Sequence, residues 1–216
     1  MKTRNEKSVV LTVGHSTRTW KDFLGLLRAH GVQRIVDVRS IPRSRHNPQF
    51  NQEILRAKLR AAGIAYVHLR KLGGLRRARP DSPNEGWRNA SFRGFADYMQ
   101  TPEFAAGLER LMKLARQKRS AVMCAEAVPW RCHRSLIADA LVARGIRVED
   151  VMTSTRFRIH TLTPFACVRK DSVWSRRITY PAAKDGCAVR LTRNKSRKKP
   201  RKKSGNKLRN KSRKDA

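Results

Sequence analysis

Acidic residues are scarce in this chain: 16 Asp and Glu stand against 50 Lys and Arg, giving a formal net charge of +34 over 216 residues. Summed positive charge attracts polyanions whatever the fold, so the expected partner is nucleic acid first and an anionic membrane surface second. Long apolar runs are missing too. Nothing approaches the ~18 consecutive apolar residues of a spanning helix, and residues 1–7 lack the apolar segment of a secretory signal. A cytoplasmic protein with no membrane span is expected. The four cysteines, Cys124, Cys132, Cys167 and Cys187, are too few and too irregularly spaced for a secreted disulfide framework. A reducing compartment would keep them as thiols. Neither glycine-rich phosphate fingerprint occurs: Gly14-His-Ser lacks the later glycines of a dinucleotide turn, and there is no GxxxxGK[ST]. Internal repeats are absent.

What is there alternates. Short apolar runs at residues 9–13, 34–38, 64–69, 121–124 and 148–152 read as strands, each followed by polar residues. Between them, Trp20, Phe23, Leu24 and Leu27, then Leu55, Leu59 and Ala62, repeat at helical spacing and stop at Gly31 and Gly63. Thr101-Pro102 is a helix start, with Thr as the cap and Pro at the first helical position. The buried stripe of that helix is Phe104, Leu108, Leu111, Met112 and Ala115, and residues 135–144 form a further helix ended by Gly145. Alternating βα units predict an α/β single domain: a mostly parallel central sheet of about five strands with helices on both faces. Residues 70–97 are the exception. They are expected as a long lid, because Gly73-Gly74 and the cations Arg70, Lys71, Arg76, Arg77 and Arg79 suit a segment that closes over an anion.

The expected organisation is a domain over 1–165, an irregular extension over 166–192 and a tail over 193–216. The tail holds 13 Lys and Arg against one Asp and has almost nothing apolar to bury, so it is expected to be disordered when free. Its Arg197, Lys198, Lys199, Arg201, Lys202 and Lys203 would bind phosphates nonspecifically by counterion release. No aromatic residue follows Tyr180, so the tail offers no base-stacking platform.

Parallel strands bring their carboxyl ends to one edge, where ligands bind in open α/β sheets. His15 and Ser16 follow the first strand, Asp37 and Arg39 the second, and His68 the third. Arg43 lies in the two-proline loop after the second. Residues 121–134 are densest, with Cys124, Glu126, Cys132, His133 and Arg134 between the fourth strand and its helix. Cys124 is a candidate nucleophile, since neighbouring cations or a helix start lower a thiol pKa. The alternative is a small buried hydrophobe. Glu126 and Asp37 are candidate bases, with His15 a second candidate reactive group. Ser16, Arg39, Arg43, His68, Cys132, His133 and Arg134 are candidate ligands for an anion. No metal is assigned, because Cys124 and Cys132 stand eight apart rather than in a close zinc pair. No cofactor is identified.

Several stretches together resemble the DUF488 family: Thr12-Val-Gly-His-Ser-Thr, Ile35-Val-Asp-Val-Arg-Ser-Ile-Pro-Arg-Ser, Asn47-Pro-Gln-Phe-Asn, Gly63-Ile-Ala-Tyr-Val-His-Leu, Leu72-Gly-Gly, Phe95-Ala-Asp-Tyr-Met and Met123-Cys-Ala-Glu with Cys132-His-Arg. The resemblance covers about residues 9–165 and implies an α/β domain whose site is formed by the polar motif residues. It implies no reaction. The residues themselves point to a cytoplasmic enzyme acting on a phosphate-bearing substrate, a nucleotide or a nucleic acid. The alternative is a non-catalytic nucleic-acid-binding protein with a structural cysteine loop.

Overall fold

A computed structural model describes residues 9–170 and 176–182. Cys187 and the basic tail lie outside the described residues. The apolar runs form β1 (Val9–Gly14), β2 (Arg34–Asp37), β3 (Ala65–His68), β4 (Ser120–Cys124) and β5 (Arg147–Val151). A short sixth strand, β6 (Phe157–Ile159), joins them in one sheet of order β3-β2-β4-β1-β5-β6. The first five are parallel, and β6 runs antiparallel to β5 at the edge. The helices are α1 (Trp20–Ala29), α2 (Gln52–Ala61), α3 (Ala90–Tyr98), α4 (Pro102–Gln117) and α5 (Arg134–Val142).

The central strands are buried on both faces, which is why they read as continuous apolar runs. Leu11, Val13, Ala121 and Met123 pack in one core with Phe23 of α1 and Leu55 of α2. Val10, Val122 and Cys124 point the other way, into a core with Phe95 of α3, Leu108 of α4 and Leu136 of α5. Each fully buried aliphatic side chain contributes roughly 1.5–3 kcal/mol. The helix caps follow the sequence: Thr19 Oγ1 accepts from the Asp22 amide, and Thr101 Oγ1 from the Phe104 amide. Gly63 ends α2 at φ +75°, a conformation only glycine adopts without cost.

This topology makes a crevice. The chain runs β1 to β3 with its helices on one face, then returns through β4 and β5 with helices on the other. Since β4 lies between β1 and β2, the connections leaving these three neighbours diverge at their carboxyl ends, where such sheets bind ligands.

Two sequence expectations need correction. The structureless connection expected over 70–97 contains α3, capped by Asn89, whose Oδ1 accepts from the amides of Ser91 and Phe92. Gly94 weakens the helical signal, but a Cβ there would strike the backbone of Arg76, Arg77 and Ala78. The preceding strap therefore crosses α3 at the one residue that admits it. It is tied down by Asp97, which accepts from Ser82 Oγ (2.6 Å), Asn84 Nδ2 (2.7 Å) and the Arg79 amide (2.9 Å). The second correction concerns 166–192. Its described residues include an antiparallel hairpin, β7 (Cys167–Lys170) with β8 (Arg176–Thr179), and Val168, Ile178 and Tyr180 join the core. Cys167 is disulfide-bonded, contrary to the expectation of four thiols.

Candidate functional site

A cavity of about 470 Å³ opens at the carboxyl ends of β1, β2 and β4. Seven of the eleven predicted catalytic and ligand-binding residues line it: His15, Ser16, Arg39, Arg43, Cys124, Glu126 and His133. They converge although they span more than a hundred positions, because parallel pairing sets Gly14 beside Cys124 and Asp37 beside Met123. The backbone closes the floor, with the His15 and Ser16 amides donating to the carbonyls of Cys124 and Ala125. Among the described residues, the two non-glycine positions with positive φ are Ser16 (+50°) and Leu75 (+57°), and both line this cavity. That conformation costs roughly 1–2 kcal/mol per residue and collects at functional sites.

Asp37, Arg39 and His15 form a relay of fixed orientation. Asp37 is fully buried and accepts from Arg39 Nε (2.9 Å), Arg39 Nη2 (2.6 Å), the Arg39 amide (3.0 Å) and the Tyr66 hydroxyl (2.8 Å). With its oxygens so occupied, it sits beneath Arg39 rather than on the cavity wall. Its predicted role as a base is replaced by that of an anchor. Burial and the adjoining Asp37 raise the Tyr66 pKa, so its hydroxyl stays a donor. Arg39 also donates from Nη2 to the Phe50 carbonyl (2.9 Å) and from Nη1 to His15 Nε2 (3.2 Å). A guanidinium cannot accept, so His15 Nε2 carries no proton and Nδ1–H donates to the Ser16 carbonyl (2.8 Å). The ring is neutral. Burial lowers its pKa and Arg39 lowers it further, while stacking on Phe50 at 4.2 Å fixes its plane.

The thiols form the second cluster. Cys124 faces the cavity, whereas Cys132 lies behind it and is 4% exposed. His133 Nε2 donates to the Val38 carbonyl (3.2 Å), which turns the Nδ1 lone pair toward both sulfurs, at 4.0 Å from Cys124 Sγ and 3.7 Å from Cys132 Sγ. The Cys132 thiol hydrogen-bonds to Cys124 and draws the Cys124 pKa well below the usual thiol value. Burial opposes this. The same bond, with burial, holds Cys132 protonated. A thiolate on Cys124 with a thiol on Cys132 is the arrangement these neighbours favour.

The remaining predicted residues have structural duties. Arg134 is 1% exposed and donates to the carbonyls of Glu126 (2.6 Å) and Ala127 (2.9 Å). It shapes the loop after β4 instead of lining the cavity, and it pairs with neither Glu126 nor Asp37 through a carboxylate. His68 Nε2 donates to the Arg39 carbonyl (2.8 Å), outside the lining. Glu126 is exposed at the rim. From the strap only Gly74 and Leu75 reach the cavity, and none of its arginines does. Arg76 lies over Tyr98 and Arg79 pairs with Asp81. Sequence reasoning missed Gly14 and Gly74 as packing residues. A Cβ on Gly14 would enter the Glu126 carbonyl, and one on Gly74 would come within 2.9 Å of His133 Nδ1. Their signal was position alone, in a strand-end turn and a Gly-Gly pair.

Cys124, Cys132 and His133 also have the donor atoms to hold a soft cation, all within 4.8 Å of one another. The eight-residue spacing of the two cysteines argued against a metal, whereas the fold sets His133 beside both sulfurs as a third donor. A family model described as "Domain of unknown function DUF488" matches residues 19–141. No curated protein and no solved structure matches the chain.

Proposed function

The chain belongs to the DUF488 family, and on that premise we propose that it is a thiol-dependent enzyme acting on a phosphate-bearing substrate, a nucleotide or a nucleic acid. One observation carries this reading: Cys124 and two arginines face one cavity, while Cys132 behind it supports the Cys124 thiolate. A buried thiol with no cavity in front of it would need no such support.

The roles follow from what each group has left to give. Arg43 is exposed and has no hydrogen-bonding partner among the described residues, so its guanidinium is available for bidentate contact with phosphate. Arg39, held by Asp37 and His15, contributes fixed positive charge and its second Nη1 hydrogen. The Ser16 hydroxyl adds a donor. Bound phosphate then places an electrophilic centre of the substrate over Cys124 Sγ; sulfur bonds to it as its bond to the leaving oxygen breaks, and the leaving group takes a proton from solvent. Water deprotonated by the Glu126 carboxylate at the rim cleaves the covalent intermediate and returns the thiolate. Neutral His15 completes the wall as an orienting group.

Iodoacetamide alkylation of Cys124 in the full chain tests this reading. Nucleotides or short oligonucleotides should slow the alkylation, and Arg43→Gln should abolish the protection without changing the unprotected rate. A rate indifferent to every phosphate compound tried would overturn the proposal. The net charge favours a second reading, in which the chain binds nucleic acid without turnover. That reading predicts unchanged binding by Cys124→Ser and no product from any phosphate substrate.

A further inference from the structure

The reading of Cys124 as the reactive thiolate leaves Cys132 unexplained. Cys132 lies outside the cavity lining, so it cannot touch a substrate, and an apolar residue would fill its place as well. Yet its sulfur shares a small space with the sulfur of Cys124 and with the lone pair of His133 Nδ1. Both thiols are free. Resting on that reading of Cys124, we propose that Cys132 is a resolving thiol: when a hydroperoxide entering the cavity oxidises Cys124, Cys132 closes a reversible Cys124–Cys132 disulfide.

The asymmetry of the pair sets the order of events. Only Cys124 faces the cavity, so a small peroxide meets that sulfur first. The thiolate attacks one peroxide oxygen, the O–O bond breaks, and the departing alkoxide or hydroxide takes a proton from solvent. Cys124 becomes a sulfenic acid. Cys132 then gives its thiol proton to His133 Nδ1, and its sulfur attacks Cys124 Sγ. The S–O bond breaks, and the leaving hydroxide recovers the proton from the imidazolium to depart as water. Two thiols have lost two electrons in all, and the hydroperoxide is reduced to an alcohol, or to water if hydrogen peroxide is used, plus one water.

Geometry supports the second step. The sulfurs lie within 4.8 Å, and a disulfide needs ~2.05 Å, a gap that side-chain rotation spans when the backbone permits. Cys132 has extended backbone (φ −132°, ψ 142°) between the 3₁₀ turn Pro129–Arg131 and α5, so it is not locked inside a helix. His133, fixed by the Val38 carbonyl, serves as the proton relay for both thiols. The consequence is protection: a disulfide silences the nucleophile and spares it the irreversible sulfinic and sulfonic states.

The experiment uses the full chain, reduced under conditions that leave the Cys167 disulfide intact, treated with one equivalent of hydrogen peroxide, alkylated and mapped by mass spectrometry. The expected result is loss of both free thiols, a peptide pair joined through Cys124 and Cys132, and recovery of both with dithiothreitol. In Cys132→Ser, Cys124 should instead accumulate as a dimedone-trappable sulfenic acid and pass to the sulfinic acid with excess peroxide. In Cys124→Ser, Cys132 should stay a thiol. Three results would overturn the proposal: dimedone trapping of Cys124 in the unsubstituted chain with no cross-link, oxidation of Cys132 in Cys124→Ser, or one equivalent of retained zinc that keeps both thiols unreactive until it is chelated. A cross-link without protection of Cys124 by any phosphate compound would sink the substrate reading alone, and protection without a cross-link would sink only this one.

Discussion

Asp37 shows how one side chain can serve a site without entering it. Its carboxylate is fully buried and holds Arg39 in the orientation that fixes the tautomer of His15. Breaking such a pair leaves the partner charge uncompensated in low dielectric, which typically costs about 3–5 kcal/mol. Asp37→Asn should therefore lower the free energy of urea unfolding by an amount of that order, and a loss below 1 kcal/mol would show that Arg39 does not depend on it. At this scale the sequence was legible in part. His15, Cys124, Glu126 and His133 were recognisable because each stands at a strand end or helix start, where topology alone sets the neighbourhood. Asp37 and Arg134 were not, because a charged side chain at such a position can point to the cavity or to a buried partner. That choice depends on groups distant in sequence, Tyr66 and Phe50 for the Asp37–Arg39 pair, or on the turn of a single loop, the carbonyls of Glu126 and Ala127 for Arg134.

The elements were legible where periodicity was strong and hidden where packing overruled it. The parallel strands, α1, α2, α4 and α5 follow from apolar spacing and caps, whereas α3 is interrupted by Gly94 and the β7–β8 hairpin joins the core through few residues. A buried clasp secures that hairpin to the sheet. His160 stands between Asp150 of β5 (3.0 Å) and Asp139 of α5 (3.0 Å), and Asp139 also accepts from Thr163 and the Tyr180 hydroxyl. Burial lowers the His160 pKa, but the two carboxylates outweigh it and raise the value from 6.5 to about 9. A raised pKa means stabilisation that is complete below pH 6.5 and is lost as pH climbs through about 9. The shift corresponds to roughly 3 kcal/mol between those limits. Stability against urea should thus fall from pH 6 to pH 10 in the unsubstituted chain, and His160→Gln should flatten that dependence. Parallel pH profiles for the two proteins would show that the clasp is not charged.

On the scale of the whole molecule, positive charge runs the length of the chain. The tail accounts for a net charge of +12 and the rest of the chain for +22, so polyanion attraction is not confined to one segment. Removing residues 193–216 should weaken binding to duplex DNA at moderate salt and flatten the dependence of log K on log salt, at about 0.9 per lost phosphate contact. Fluorescence anisotropy across a salt series reads both, and an unchanged slope would exclude the tail from the contact. None of the described helices is long and apolar enough to cross a membrane. The proposed function rests on Cys124, and the rate of its alkylation by iodoacetamide as a function of pH tests it most directly. The account predicts a Cys124 rate that rises with a midpoint well below the free-cysteine value of about 8.5, with Cys132 unreactive across the same range. A Cys124 midpoint at or above that value, or no reaction at any pH, would contradict it.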